Sequence, residues 1–175
     1  MVLTSNAQRA TRLRALRNHG SAEPGLHYEI GGNFRMDEMQ AALLNVKLSH
    51  LSAWTKRRRQ LAARYDHAFE DHPSIRTPAA AFGADRHVYH QYVVRVGAER
   101  DNIRTRLAAR GIETRVYYPR PLHHQPCFAD LQVDPKRLPN AIAAAEQSLA
   151  LPLYPRLTDS AQDRVIEALV QEVPS

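Results

Sequence analysis

Two stretches place reactive or ligand-binding residue types at close spacing. The first is Glu29-Ile-Gly-Gly-Asn-Phe-Arg-Met-Asp-Glu-Met-Gln40. Gly31 and Gly32 allow a backbone to approach another group closely. Asn33 and Arg35 follow at once, and then a helical pattern begins. A loop feeding a helix N-terminus favours an anion, because free N–H groups and the helix dipole both face it. The glycines match neither the phosphate-loop nor the dinucleotide fingerprint. An ordinary helix cap, with Asp37 and Glu38 complementing the dipole, is therefore a second reading of the same residues. The other stretch is Thr114-Arg-Val-Tyr-Tyr-Pro-Arg-Pro-Leu-His-His-Gln-Pro126. A strand runs into a Pro-rich loop carrying aromatics, Arg and His. That is a common ligand-site layout, and it is equally the composition of a cis or kinked structural turn.

Two further clusters are weaker. Lys56-Arg57-Arg58-Arg59 offers four adjacent cations to nucleic acid or an acidic membrane surface. In a helix, however, consecutive residues fan around the axis, and no aromatic platform is interleaved. The run reads as a solvated helix face. His87, His90, His123 and His124 with Cys127 suggest zinc. Yet His87 and His90 lie three apart on an expected strand and so face opposite ways, and there is only one cysteine. No metal site is predicted; one or two of these histidines are expected to line a polar pocket.

These loops need elements to hold them. Met1-Val-Leu-Thr4 is β-branched and apolar and reads as an interior strand, an abrupt start. Residues 7–18 read as a helix with Leu13 and Leu16 as its apolar stripe, Ser5 or Asn6 as cap and Gly20 as stop. Residues 20–34 read as loop. Met36, Met39, Leu43, Val46 and Leu48, then Leu51, Trp54, Leu61, Ala62, Tyr65 and Phe69, follow helical spacing, with a break expected at Ser49–Ser52. Residues 72–87 read as linker and 87–96 as a strand. Residues 101–110 read as a helix stopped by Gly111, and 112–118 as a second strand. Residues 119–137, with Pro119, Pro121, Pro126 and Pro135, read as irregular. Residues 139–150 and 159–170 read as helices, the first opened by Pro139, with 151–155 extended between them. The back half is thus α/β or α+β, and the front 75 residues are mostly helical with no obvious core of their own.

Composition agrees with a folded protein. The 175 residues are 43% hydrophobic and 24% charged, with a formal net charge of +6, which excludes a disordered chain. No stretch approaches the ~20 apolar residues of a membrane span, and no signal peptide is visible. A single cysteine, Cys127, excludes an internal disulfide framework and suits the cytoplasm.

Taken in order, four blocks resemble the DegT/DnrJ/StrS-type aminotransferases, pyridoxal-phosphate enzymes that aminate keto sugars. The blocks are Leu-Arg-Asn-His-Gly at 16–20, Glu-Ile-Gly-Gly-Asn-Phe-Arg-Met-Asp-Glu-Met-Gln-Ala-Ala at 29–42, Gly-Ile-Glu-Thr-Arg-Val-Tyr-Tyr-Pro-Arg-Pro-Leu-His-His-Gln-Pro at 111–126 and Leu-Ala-Leu-Pro-Leu-Tyr-Pro-Arg-Leu-Thr at 149–158. His-Val-Tyr-His-Gln-Tyr-Val-Val-Arg at 87–95 also looks like that family. The resemblance implies an α/β fold of the aspartate-aminotransferase type (fold type I), of which this chain is the carboxy-terminal part. Residues 1–75 would be the helical tail of the large cofactor-binding domain with the long interdomain helix, and 76–175 the small α/β domain. The family's Schiff-base lysine lies upstream of the first block; Lys47, Lys56 and Lys136 do not match it. The acid that pairs with the pyridine nitrogen and the aromatic that stacks on the ring are also upstream. The resemblance therefore puts no catalytic residue in this chain. It implies that Asn33 binds the pyridoxal 5'-phosphate phosphate across a homodimer interface, with Arg35 adding charge there or capping the helix. Tyr117, Tyr118 and His123 match the loop that borders the substrate. The implied reaction is ping-pong transfer of an amino group, from an amino-acid donor such as glutamate, to a keto group of a nucleotide-linked sugar. Such products enter polysaccharide, antibiotic or lipid biosynthesis. By the same comparison the chain alone is expected to be inactive. The competing expectation is a truncated remnant, or a stand-alone small domain that serves as a non-catalytic dimerisation or binding module. Its helical front end would expose Met36, Met39, Leu43 and Trp54 for pairing.

Overall fold

Asn6 opens the first helix as the sequence asks: its side-chain Oδ1 accepts from the Arg9 amide at 2.9 Å, and α1 runs over Ala7–Leu16. A computed structural model describes residues 2–131, 133–134 and 137–174. Met1, Pro135 and Lys136, named above, lie outside the described residues. Val2, Leu3 and Thr4 form no strand, since no ladder partner meets them among the described residues. Two compact units divide the chain, residues 1–50 and 51–175. The helix at 51–69 buries its apolar stripe in the second unit's core.

In the first unit the expected loop contains a small antiparallel hairpin, β1 (Ser21–Glu23) and β2 (Leu26–His27). Pro24-Gly25 turns it, with Gly25 at φ +81°, the residue pair a type II turn asks for. α2 (Glu38–Leu48) follows, capped by Asp37. Its apolar residues Met39, Leu43, Val46 and Leu48 are all exposed, as is Met36 just before it. Gly20 is the one buried residue among the described residues of this unit.

The expected break after α2 is present, but Ser49 does not recap. Its hydroxyl donates back to the Val46 carbonyl at 2.8 Å and closes α2.

The second unit has a true core. α3 (Leu51–Phe69) contributes Leu61, Tyr65 and Phe69 at successive fours, and α6 (Asp159–Glu172) contributes Val165, Ala168 and Leu169. The two helices touch directly, Gln162 Nε2 of α6 donating to the Leu61 carbonyl of α3 at 2.7 Å, and β3 (Tyr92–Arg95) and β4 (Ser148–Leu151) pair antiparallel, with Tyr92 opposite Leu151 and Arg95 opposite Ser148. α4 (Arg100–Ala109) adds Ile103 and Leu107, and α5 (Pro139–Gln147) leads into β4. Each fully buried Leu, Ile or Phe is worth roughly 1.5–3 kcal/mol, so this interior is what holds the unit. Thr158 caps α6 by accepting from the Ala161 amide at 3.2 Å.

Three expected elements differ. The 87–96 strand starts only at Tyr92, because Tyr89 sits at φ +45° and the carbonyls of His87, Tyr89 and His90 accept from arginines instead of a ladder. The 112–118 strand shrinks to one bridge, Arg115 with Ala150. The Ile112 amide is spent closing α4 on Leu107, and Pro119 has no N–H to offer. The 139–150 helix ends at Gln147, because Ser148–Leu151 pairs with β3. The linker at 72–87 is tied in by Ile75, which is buried, and by an Arg76–Arg95 bridge. Two short 3₁₀ turns, at Leu122–His124 and Pro126–Leu131, occupy the Pro-rich stretch.

Candidate functional site

The expected site residues fall in different units, Asn33 and Arg35 in the first and Tyr117, Tyr118 and His123 in the second. In the first unit, the loop before α2 folds back on the end of α1. Gly32 N–H donates to Leu16 O, His19 N–H to Gly32 O and Phe34 N–H to Arg17 O, with Asn18 bridged to Asn33. The close approach explains the glycines. A Cβ on Gly31 would sit 2.4 Å from the Gly20 nitrogen and 2.5 Å from the Leu16 oxygen. A Cβ on Gly20, at φ +75°, would lie 1.7 Å from the Glu29 oxygen. Arg12 and Glu29 pair at 2.8 Å on the surface, and His27 Nδ1 donates to the His19 carbonyl at 2.9 Å.

This scaffold presents Asn33 and Arg35 together. Arg35 Nε donates to Asn33 Oδ1 at 2.8 Å. That bond fixes which way the amide faces and leaves the Asn33 NH₂ group and the remaining Arg35 N–H groups as donors at an exposed loop. At the helix N-terminus Asp37 Oδ1 accepts from the Met39 amide at 2.8 Å, which takes one of the first-turn amides and sets a carboxylate there. Any phosphate chemistry here rests on Asn33 and Arg35. The capping role left open for Arg35 belongs to Asp37.

In the second unit the two tyrosines come together and His123 does not join them. Tyr117 and Tyr118 line a cleft of about 580 Å³ between the β3–β4 sheet, α5 and the Pro-rich loop, with Arg120 and Gln91 among its polar groups. Tyr117 and Gln91 also line a neighbouring cleft of about 450 Å³ with Glu113, Arg115, Tyr154 and Arg164. His123 packs edge-on against His124, ring centroids 4.3 Å apart, and its buried Nε2 has no partner among the described residues. No cis peptide bond occurs among the described residues, so the Pro-rich turn is kinked and trans. Gln91, which lines both clefts, was not singled out from sequence. The signal was there: strand alternation puts residues 91 and 93 on the face opposite buried Tyr92 and Val94.

The basic run corrects another expectation. It is not a solvated face. Arg57 donates to Leu157 O and pairs with Asp159 at 2.7 Å. Arg58 Nη1 donates to the carbonyls of Tyr89, His90 and Leu153, and Arg59 Nε to His87 O. Irregular segments leave carbonyls without ladder partners, and long guanidinium side chains satisfy them. Trp54 is half-buried beside Arg58 in an apolar cleft, so it is not part of an exposed apolar face.

His87 is likewise engaged: its Nδ1 accepts from the Tyr89 amide at 3.1 Å. Among the described residues no group of three His, Cys, Asp or Glu side chains comes together to hold a metal ion, and no helix is long and apolar enough to cross a membrane.

The described lysines do not supply an anchored amine. Lys47 lies in the last turn of α2 and Lys56 is exposed on α3. The donor pair Asn33–Arg35 therefore fits a phosphate arm, while nothing among the described residues fits the carbonyl end of a pyridoxal group.

Both units together match the carboxy-terminal part of an aspartate-aminotransferase-type fold. DesV of Streptomyces venezuelae, solved in complex with a ketimine intermediate, superposes with a TM-score of 0.90 at 39% identity over 99% of this chain and 46% of DesV. The chain belongs to the DegT/DnrJ/EryC1/StrS aminotransferase family, whose description matches residues 1–170. Among curated relatives, a "pleiotropic regulatory protein" of Geobacillus stearothermophilus is 41% identical over 98% of this chain and 46% of its own length. The dTDP-3-amino-3,4,6-trideoxy-alpha-D-glucose transaminase of Streptomyces venezuelae is 42% identical over 96% of this chain and 44% of its own. The chain thus spans a little under half the length of these relatives and aligns with their carboxy-terminal part.

Proposed function

We propose that this chain is the partner-facing part of a pyridoxal-phosphate-dependent aminotransferase that moves an amino group, from an amino-acid donor such as glutamate, to a keto group of a nucleotide-linked sugar. The single observation that carries the reading is the Asn33–Arg35 pair on its glycine-built loop, in a chain whose family match runs over residues 1–170. When bound, the cofactor supplies an electron sink and a temporary carrier for the amino group. The chain's own residues hold and orient. Asn33 Nδ2 donates to the phosphate, and Arg35 locks the amide in that orientation while adding positive charge. Tyr117 and Tyr118 offer aromatic faces and hydroxyls to the sugar or nucleotide portion; His123, packed on His124 outside their cleft, has no part in this reading. The amine that would carry the cofactor would come from the amino-terminal part of the family fold, and the reading has the chain act within a homodimer of two-domain subunits in the cytoplasm.

The test joins this chain to such an amino-terminal part. Asn33→Ala should weaken cofactor retention by about 1.5–3 kcal/mol, the worth of one charge-assisted hydrogen bond. Unchanged affinity would refute the phosphate role. The isolated chain, mixed with pyridoxal phosphate and borohydride, should show no stoichiometric label on any one lysine, read by peptide mass mapping. One fully labelled lysine would overturn the division of labour.

A second reading, a non-catalytic dimerisation or binding module, is favoured by the exposed apolar residues Met36, Met39, Leu43 and Val46. It predicts a stable oligomer of the isolated chain with no need of a further segment.

A further inference from the structure

The outer edge of β3 carries an arrangement that neither reading uses. Arg76 and Arg95 are bridged, Arg76 N–H donating to Arg95 O at 3.0 Å and Arg95 N–H to Arg76 O at 2.9 Å. Residues that exchange both bonds stand directly opposite, with side chains on one face. Like charges so placed repel. Unlike Arg57, Arg64 and Arg106, neither arginine takes part in an ion pair among the described residues. Arg95 donates through Nη2 to Gln147 Oε1 at 3.0 Å. Its Nε is shut off from solvent and has no acceptor among the described residues.

Both arginines line a cleft of about 590 Å³ with Ser74, Gly97, Ala98 and Glu99. The backbone N–H groups of Gly97 and Ala98 have no acceptor among the described residues. Glu99 is the one acid among these lining residues, and its Oε2 accepts from Asn102 Nδ2 at 2.7 Å. Two guanidinium groups, a hydroxyl and backbone donors form a set that matches the several acceptor oxygens of a tetrahedral oxyanion. We propose that this cleft binds a phosphate-type oxyanion, either free phosphate or the phosphomonoester of a small metabolite, clamped between Arg76 and Arg95.

The test is a titration of the ¹⁵N-labelled 175-residue chain with sodium phosphate, at ionic strength held constant with sodium chloride. The Arg95 Nε–Hε and Gly97 amide resonances should shift saturably. Arg76 is exposed and its backbone bonds do not depend on its side chain. Arg76→Gln should therefore raise the dissociation constant about tenfold or more while leaving the Val94 and Leu149 resonances in place. Arg76→Lys, which keeps the charge but loses the fork, should show a smaller loss. A parallel titration with AMP separates the sources. Saturation at lower concentration than phosphate assigns the site to phosphomonoesters, and weaker or absent binding assigns it to the free ion. If neither ligand moves the Arg95 Nε–Hε resonance, or if Arg76→Gln binds as tightly as the parent, the proposal is wrong.

Discussion

Replacing Arg58 by methionine keeps most of the apolar stem and removes the guanidinium. Three carbonyls then lose their donor: Tyr89 at 3.2 Å, His90 at 3.1 Å and Leu153 at 3.0 Å. All three bonds come from Nη1. A single nitrogen carries two hydrogens, so two bonds are made fully at any moment and the third is shared. A bond from a charged donor is worth about 1.5–3 kcal/mol net. The side chain is half-buried, and its loss frees water to solvate part of the exposed carbonyl set. The expected cost is about 2–4 kcal/mol, or roughly 5–15 °C in Tm for a chain of this size. Lys56→Met, on the same helix but exposed, is the control and should lie within about 0.5 kcal/mol of the parent. The assay is urea unfolding at 25 °C followed by the fluorescence of Trp54, the chain's one tryptophan, which lines the same cleft as Arg58. Far-UV circular dichroism serves as the second probe. Equal midpoints for Arg58→Met and Lys56→Met would refute the reasoning and return the whole run to a solvated face.

Burial pushes the hydroxyls of Tyr65 and Tyr92 well above the usual tyrosine range, and for Tyr92 the bond to Asp66 at 2.6 Å adds to the shift. Their folded-state values are raised, so the stability they confer is present below the ordinary tyrosine value near 10 and is lost as pH rises beyond it. In an alkaline titration at 295 nm these two of the seven tyrosines should ionise only as the chain unfolds. Full titration near pH 10 with an intact near-UV spectrum would contradict this. The hydrogen bond from Arg57, aided by the charges of Arg57 and Arg64, holds the Asp159 carboxyl below its ordinary 3.8. A lowered value stabilises above that pH and fades as pH falls through it. Melting temperatures of the parent and Asp159→Asn should therefore differ at neutral pH and draw together as pH falls below 3.8. A gap that does not narrow on acidification past that value would show that the carboxylate is not its cause.

Much of the helical framework is legible from local rules. Asn6, Asp37 and Thr158 cap where their side chains predict, and Gly111, at φ +73°, stops α4. The expected stop of α1 at Gly20 is shared with His19, which also adopts positive φ at 60°. Strands are less legible. Ser148–Leu151 continues an Ala-rich helical pattern, and only pairing with Tyr92–Arg95 turns it into β4. Residues 112–118 have strand composition, yet one bridged pair is all the neighbouring loop and helix end allow. The site residues follow the same division. The glycines around Asn33 are readable as a request for close approach, whereas the Arg35–Asn33 bond depends on where the loop lands.

The helical caps and candidate loops are legible in the sequence because each rests on residue types within a few positions of one another, and the family is legible because four blocks recur in one order along the chain. Folding alone sets the arginine run against carbonyls of distant segments, puts α3 in the second unit and packs His123 on His124 outside the cleft of Tyr117 and Tyr118. It also sets Arg76 against Arg95. Those outcomes depend on which unpaired carbonyls, apolar faces and like charges meet after the chain has folded, and no local spacing records that.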